Sequence, residues 1–161
     1  MTGHRAHVIT VSDGVSAGTR DDVSGPALVT LLRNSDFEVS GPEVVPDTHD
    51  RISDAIVGAV VNGADLVVTT GGTGLGPRDV TPQATSMLID YDVPGLGELM
   101  RRAGQASTPM ASLSRSLAGV RGHALILNLP GSMRGATDSL EAVVPVLGHA
   151  MQLLRGNTKH E

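Results

Sequence analysis

Short apolar runs, each stopped by glycine or proline-glycine, constrain this chain more than any other feature. His7–Ser12 (HVITVS) runs into Asp13-Gly14, Asp65–Thr70 (DLVVTT) stops at Gly71-Gly72, and His123–Leu129 (HALILNL) stops at Pro130-Gly131. Apolar runs of this length without alternation suit strands covered on both faces, as in a parallel sheet. Phe37–Val45 is a weaker fourth candidate, interrupted by Gly41-Pro42. Helical spacing fills the gaps. Ser24-Gly25-Pro26 opens a helix with Leu28, Leu31 and Leu32 on one face, and Ser24 is its expected N-cap. Thr48 opens a second, with Ile52, Ile56 and Val60 at i, i+4 and i+8; Thr81-Pro82 opens a short third. Pro94–Ala106 carries Leu96, Leu99 and Met100 on one stripe. A last helix runs from about Gly135 to Leu154, with Pro145 expected to kink it or split its start. The alternation predicts an α/β fold: a doubly wound, mostly parallel sheet with helices on both faces, in one domain over residues 1–161.

Composition narrows the chemistry. The 161 residues are 40% hydrophobic, enough for a core without staples. There is no Cys, which excludes disulfides, thiolate zinc and a Cys nucleophile. Twelve basic residues face 17 acidic ones, and Lys159 is the single lysine, which argues against a Walker-type phosphate lysine. Tyr91 and Phe37 are the only aromatics, so no platform exists for stacking single-stranded nucleic acid. The net charge of −5 disfavours nucleic acid and anionic membrane alike. No run approaches the about 20 apolar residues of a membrane span, and no signal-peptide pattern is present. The expectation is a cytoplasmic protein with no nucleic-acid or membrane partner.

Ligands of such sheets bind beyond the carboxyl ends of the strands, and three segments there hold suitable residues. In Thr69–Ala84 (TTGGTGLGPRDVTPQA), Gly71-Gly72-Thr73-Gly74 and then Arg78-Asp79 lie between a strand and a helix start. Glycines let backbone N–H groups approach an anion, and the helix start adds partial positive charge. Arg78 can add a cation, and Asp79 can hold Mg²⁺. The spacing is neither G-x-x-x-x-G-K nor G-x-G-x-x-G, and a plain glycine-rich turn is the alternative. Ser12–Pro26 offers Asp13, Asp21 and Asp22 for a metal, ribose or heterocycle, with capping the simpler reading of the last two. Ser112–Gly135 offers Ser114, Arg115, Ser116 and the Pro130-Gly131 turn, which suit an oxyanion or polar heterocycle; read alone, this is also an ordinary surface turn. Asp47, in VVPD, sits at another carboxyl end, where a helix-start acid is the commoner explanation. His4 and His7 read as structural or disordered rather than metal-binding.

Taken together and in order, VSDGVSAGTRDDVSGP, VVPD, TTGGTGLGPRDVTPQAT, LSRSLAGVRG and LILNLPGS resemble the MogA/MoaB family of molybdenum-cofactor biosynthesis proteins, the molybdopterin adenylyltransferase-type domains. The resemblance implies a three-layer α/β/α molybdopterin-binding fold, a homotrimer, and conversion of ATP and molybdopterin to adenylyl-molybdopterin and pyrophosphate with Mg²⁺. It further implies that Gly71, Gly72, Thr73 and Gly74 cradle nucleotide phosphates, and that Asp47 and Asp79 are catalytic acids holding Mg²⁺. Asp13 would line the same pocket, while Ser114, Arg115, Ser116, Pro130 and Gly131 take the pterin and its terminal phosphate. Other proteins of the same biosynthesis are implied partners. Two polyanions meeting on an acidic chain require local positive charge, for which Arg78 and Arg115 are the candidates. Two departures stand out: Gln83 replaces the Glu that often follows Thr-Pro, and PGSM (through Met133) replaces PG-x-P. The PGS form is similar to MoaB-type members, which makes a non-catalytic molybdopterin-binding protein the alternative. A different nucleotide- or sugar-phosphate-binding α/β enzyme is the third.

Overall fold

The computed structural model describes residues 3–157; Lys159 and His160 lie outside the described residues. Six strands form one sheet: β1 (Arg5–Val11), β2 (Glu38–Val45), β3 (Leu66–Thr70), β4 (Tyr91–Asp92), β5 (Ala118–Arg121) and β6 (Ala124–Leu129), ordered β2-β1-β3-β6-β5-β4. The first four in that order are mutually parallel, and β5 alone runs against its neighbours. The mostly parallel sheet is therefore as expected, with a mixed end that the sequence reading lacks.

Side-chain alternation divides the core into two layers. Val8, Val68, Leu127 and Leu129 point to one face and meet α2 (Ser24–Asn34), α5 (Pro94–Gln105) and α6 (Met133–Leu154). Ile9, Val11, Val67 and Ile126 point to the other and meet α3 (His49–Val61) and α4 (Thr81–Ser86). The strand order reverses direction around β1, with β2 on one side and β3 on the other. That is a switch point where a crevice opens at the carboxyl ends.

Several local expectations change. Ser24 is not the N-cap of α2: Val23 holds that position, and Asp22 accepts the Gly25 N–H at 3.0 Å. The Ser24 hydroxyl instead donates to the Gly131 carbonyl at 2.7 Å, tying α2 to the turn after β6. A one-turn helix, α1 (Asp13–Ser16), follows β1 with Ser12 as its cap. α6 begins at Met133, where Ser132 accepts the Gly135 N–H at 3.1 Å, and continues unsplit through Pro145. Pro145 sits on the exposed side, where water can satisfy the carbonyl it orphans, while Leu140, Val143 and Leu147 hold the buried side. β5 and β6 form a hairpin around Gly122-His123, with Gly122 at φ +58°. A Gly-X pair between strands is a hairpin signal, here hidden within a segment whose polar residues draw attention first.

Candidate functional site

At the carboxyl ends, two acids clasp each other through the backbone. The Asp13 N–H donates to Asp47 Oδ2 at 2.8 Å, and the Asp47 N–H donates to Asp13 Oδ1 at 2.9 Å. Arg78 adds a fork to Asp13, Nε at 3.0 Å and Nη2 at 2.8 Å to Oδ2. The Asp47 N–H, and then Arg78, hold the Asp13 carboxyl below its ordinary range. Asp47 moves the other way. Burial pushes its pKa up against the opposing Asp13 N–H, and the negative charges of Asp13 and Asp79 push it further.

The glycine loop follows β3. Gly71 adopts φ +104°, and a Cβ there would collide with the Val11 carbonyl of β1, so this position requires glycine. Thr81, the first residue of α4, folds the loop back: its hydroxyl donates to the Gly71 carbonyl at 2.9 Å and its N–H to that of Gly72 at 3.1 Å. A Cβ on Gly72 would press on Thr81 and Asp47, and one on Gly74 would come within 2.8 Å of Asp79. Glycine thus lets the loop lie against both acids. None of these bonds uses the N–H groups of Gly72, Thr73 or Gly74. Asp79 accepts the Gly76 N–H at 2.9 Å.

Arg115 braces this loop from the opposite side. Its Nε and Nη2 donate to the Gly74 carbonyl at 2.9 and 2.8 Å, and Nη2 reaches the Asp79 carbonyl at 2.7 Å. Its own N–H donates to the Thr73 carbonyl at 2.9 Å. Ser114 and Ser116 share a 2.9 Å hydroxyl–hydroxyl bond beside it, with Ser116 buried.

Two cavities open here and share Gly131 and Ser132. The first, about 450 Å³, is lined by Asp47, Asp79, Gly71, Gly72, Asp22 and Arg20 among others. The second, about 480 Å³, is lined by Thr73, Gly74, Ser114, Ser116 and Pro130, with Met100, Met110 and Leu113 as an apolar floor and Arg101 and Arg134 at its edge. Most of the residues singled out from the sequence thus come together. Asp13, Arg78 and Arg115 line neither cavity; they hold the parts that do. Gln83 is exposed on α4 and faces neither, whereas Met133 lines the acidic cavity. Sequence reading passes over Arg20, in the loop before α2, Arg101, inside α5, and Arg134, in the first turn of α6, because a single arginine in a loop or on a helix carries no distinguishing pattern. The acids fit a magnesium ion in one respect: the like charges around Asp47 are those a divalent cation relieves. Among the described residues no group of three or more His, Cys, Asp or Glu could hold a metal, so substrate oxygens and water would have to complete the coordination.

With this geometry in view, comparison with known proteins is direct. A family model described as "Probable molybdopterin binding domain" matches residues 7–149. The chain belongs to this family. Within the MogA/MoaB group, it is 40% identical to the molybdopterin adenylyltransferase of Helicobacter pylori, over 93% of this chain and 87% of that protein. It is also 40% identical to a molybdenum cofactor biosynthesis bifunctional protein of Synechococcus elongatus, of which it spans about half (49%) while 97% of this chain is covered. Among solved structures, a MoaB from Thermus thermophilus superposes with a TM-score of 0.89 at 52% identity, covering 95% of this chain and 97% of that one. A MogA structure gives 0.90 at 38% identity, over 94% and 99%. The molybdopterin-binding fold expected from the sequence is the fold observed. Among the described residues no helix is long and apolar enough to cross a membrane.

Proposed function

We propose that this chain adenylylates molybdopterin in molybdenum-cofactor biosynthesis. A phosphate oxygen of molybdopterin attacks the α-phosphorus of ATP, the bond from that phosphorus to the bridging oxygen breaks, and pyrophosphate leaves. The nucleophile is already an anion, so no protein base is needed; the task is to hold two polyanions together. The observation that carries this reading is the pair of cavities meeting at Gly131-Ser132, one acidic and one lined by hydroxyls over an apolar floor. Two different substrates can then meet at a shared wall. The Helicobacter and Escherichia coli relatives named molybdopterin adenylyltransferase support the same assignment.

The N–H of Gly72, in the acidic cavity, points the reading at nucleotide phosphates, and those of Thr73 and Gly74, on the wall of the second cavity, would meet the phosphates where the two substrates join. Asp47 and Asp79 would hold Mg²⁺, which when bound supplies charge neutralisation at the phosphates. Asp13 orients Asp47 through their paired backbone bonds, and Arg78 keeps Asp13 ionised and in place. Ser114, Ser116 and the Pro130-Gly131 turn face the pterin. A homotrimer, a cytoplasmic location, a single domain over 1–161, and other molybdenum-cofactor biosynthesis proteins as partners belong to this same reading.

The test is molybdopterin-dependent pyrophosphate release. Asp47→Ala and Asp79→Ala are each expected to lower kcat about 100-fold or more; unchanged rates in both variants overturn the assignment of the acids. The likeness to the Thermus MoaB, with Ser132-Met133 after Pro130-Gly131, favours one second reading, a pterin-binding protein without turnover. Tight molybdopterin binding with no pyrophosphate release would select it.

A further inference from the structure

An acidic chain that binds two polyanions needs cations in its cavities; Arg20 lines the acidic one, while Arg78 and Arg115 are engaged elsewhere. Arg78 forks onto Asp13, and Arg115 donates to the carbonyls of Gly74 and Asp79. Arg101 lines the hydroxyl-rich cavity, but its Nη1 donates to the Ser116 carbonyl at 2.7 Å. Arg134 differs. It lies in the first turn of α6, two residues beyond the Ser132 that both cavities share, and its side chain is 77% exposed. It faces Asp138, one turn on, at a loose 3.8 Å, and Asp138 accepts a closer bond from the Ser107 hydroxyl at 3.0 Å.

We infer that Arg134 is the residue that recognises the phosphate monoester of the pterin substrate. It approaches the junction from the pterin side, where that phosphate must sit if it is to attack a nucleotide in the neighbouring cavity. A guanidinium presents a planar fork to phosphate oxygens, and a strained or short ion pair would have to break first; the 3.8 Å contact with Asp138 is neither. Asp138 stays held by Ser107 when Arg134 leaves, so the swing exposes no unpaired buried acid. The arginine takes pterin phosphate rather than nucleotide phosphate because it lines the second cavity and not the acidic one, whose exposed cation is Arg20.

This inference rests on the adenylyltransferase reading for its substrate, and the experiment separates the two. Arg134 is exposed, so its variants should fold, and unchanged far-UV circular dichroism serves as the check. With the full chain and Mg·ATP, Arg134→Ala is expected to lower kcat/KM for molybdopterin about tenfold or more, through KM, with KM for ATP within about twofold of the parent. Arg134→Lys, which keeps the charge and loses the fork, should fall between them. Unchanged KM for molybdopterin in Arg134→Ala overturns the inference while leaving the adenylyltransferase reading intact. If the parent protein releases no pyrophosphate, that reading fails instead, and direct molybdopterin titration still decides on Arg134: weaker binding in the alanine variant supports it, and equal binding overturns it. A parent that neither binds nor turns over molybdopterin overturns both.

Discussion

At the residue scale, Asp13 and Asp47 show how one local geometry gives two carboxylates opposite characters. Each accepts the other's backbone N–H, yet Asp13 lies open to solvent beside Arg78, while Asp47 is partly buried among like charges. The pKa of Asp47 is raised in the folded protein, so the folded state binds more protons there than the unfolded chain does. Its ionisation therefore costs stability as pH rises through its titration, and the cost vanishes below about pH 4, where both states are protonated. Asp47→Asn keeps an oxygen for the Asp13 N–H and removes the charge. We expect this variant to be inactive but more stable than its parent at pH 7, by less than about 1 kcal/mol after solvent screening. The gap should close as pH falls towards 4. Denaturant melts at pH 7 and pH 4 check this, and a less stable variant at pH 7 would contradict it. The sequence places Asp47 after a strand, which any helix-start acid also satisfies. What it cannot convey is the reciprocal bond to Asp13, which exists because β1 and β2 are adjacent and parallel.

At the scale of elements, the loop from β3 to α4 is shaped by partners distant in sequence. Thr81 closes it from within, and Arg115, 41 residues from Gly74, closes it from outside. The motif Thr69–Ala84 is legible because glycine and threonine types crowd a strand end. The role of Arg115 is not, because an arginine among serines reads as an anion ligand unless its acceptors are known. Carbonyl acceptors make it a positioning residue, and the two roles respond differently to lysine. A phosphate ligand retains much of its effect as Lys, whereas a guanidinium bridging two carbonyls does not. Arg115→Lys is therefore expected to resemble Arg115→Ala, with kcat down about tenfold or more and faster hydrogen exchange across residues 73–79. Recovery of kcat by Lys would return Arg115 to direct anion binding.

At the scale of the whole molecule, the sheet separates a chemical end from a stabilising one. The amino ends of the strands gather His4, Phe37 and Asp65, with Arg155 after α6 donating to Asp65 at 2.9 Å. Burial, and then the charge of Arg155, lower the pKa of His4 despite the nearby Asp65. The folded state thus favours neutral His4, and that contribution is present above about pH 6.5 and is lost as pH falls below it. Thermal melts from about pH 7.5 to about pH 5 should show an acid-side decline that is flatter in His4→Gln; an equally steep decline would place the cause elsewhere. His7 is likewise structural, bonded to Ser40 at 2.7 Å and Glu43 at 3.0 Å. The architecture is legible because glycine-stopped apolar runs dictate covered parallel strands. The β4 and β5 end is not, because a strand of two residues and one of four leave too few positions to show a period.

The wall shared by the two cavities has a kinetic consequence. On the proposed reading, ATP and molybdopterin each occupy one chamber, but their joined product is tethered into both. A molecule with two anchored ends benefits from the high effective concentration of one end whenever the other is held. The product is then a bivalent ligand of the protein that makes it, and its departure, rather than bond making, becomes the natural slow step.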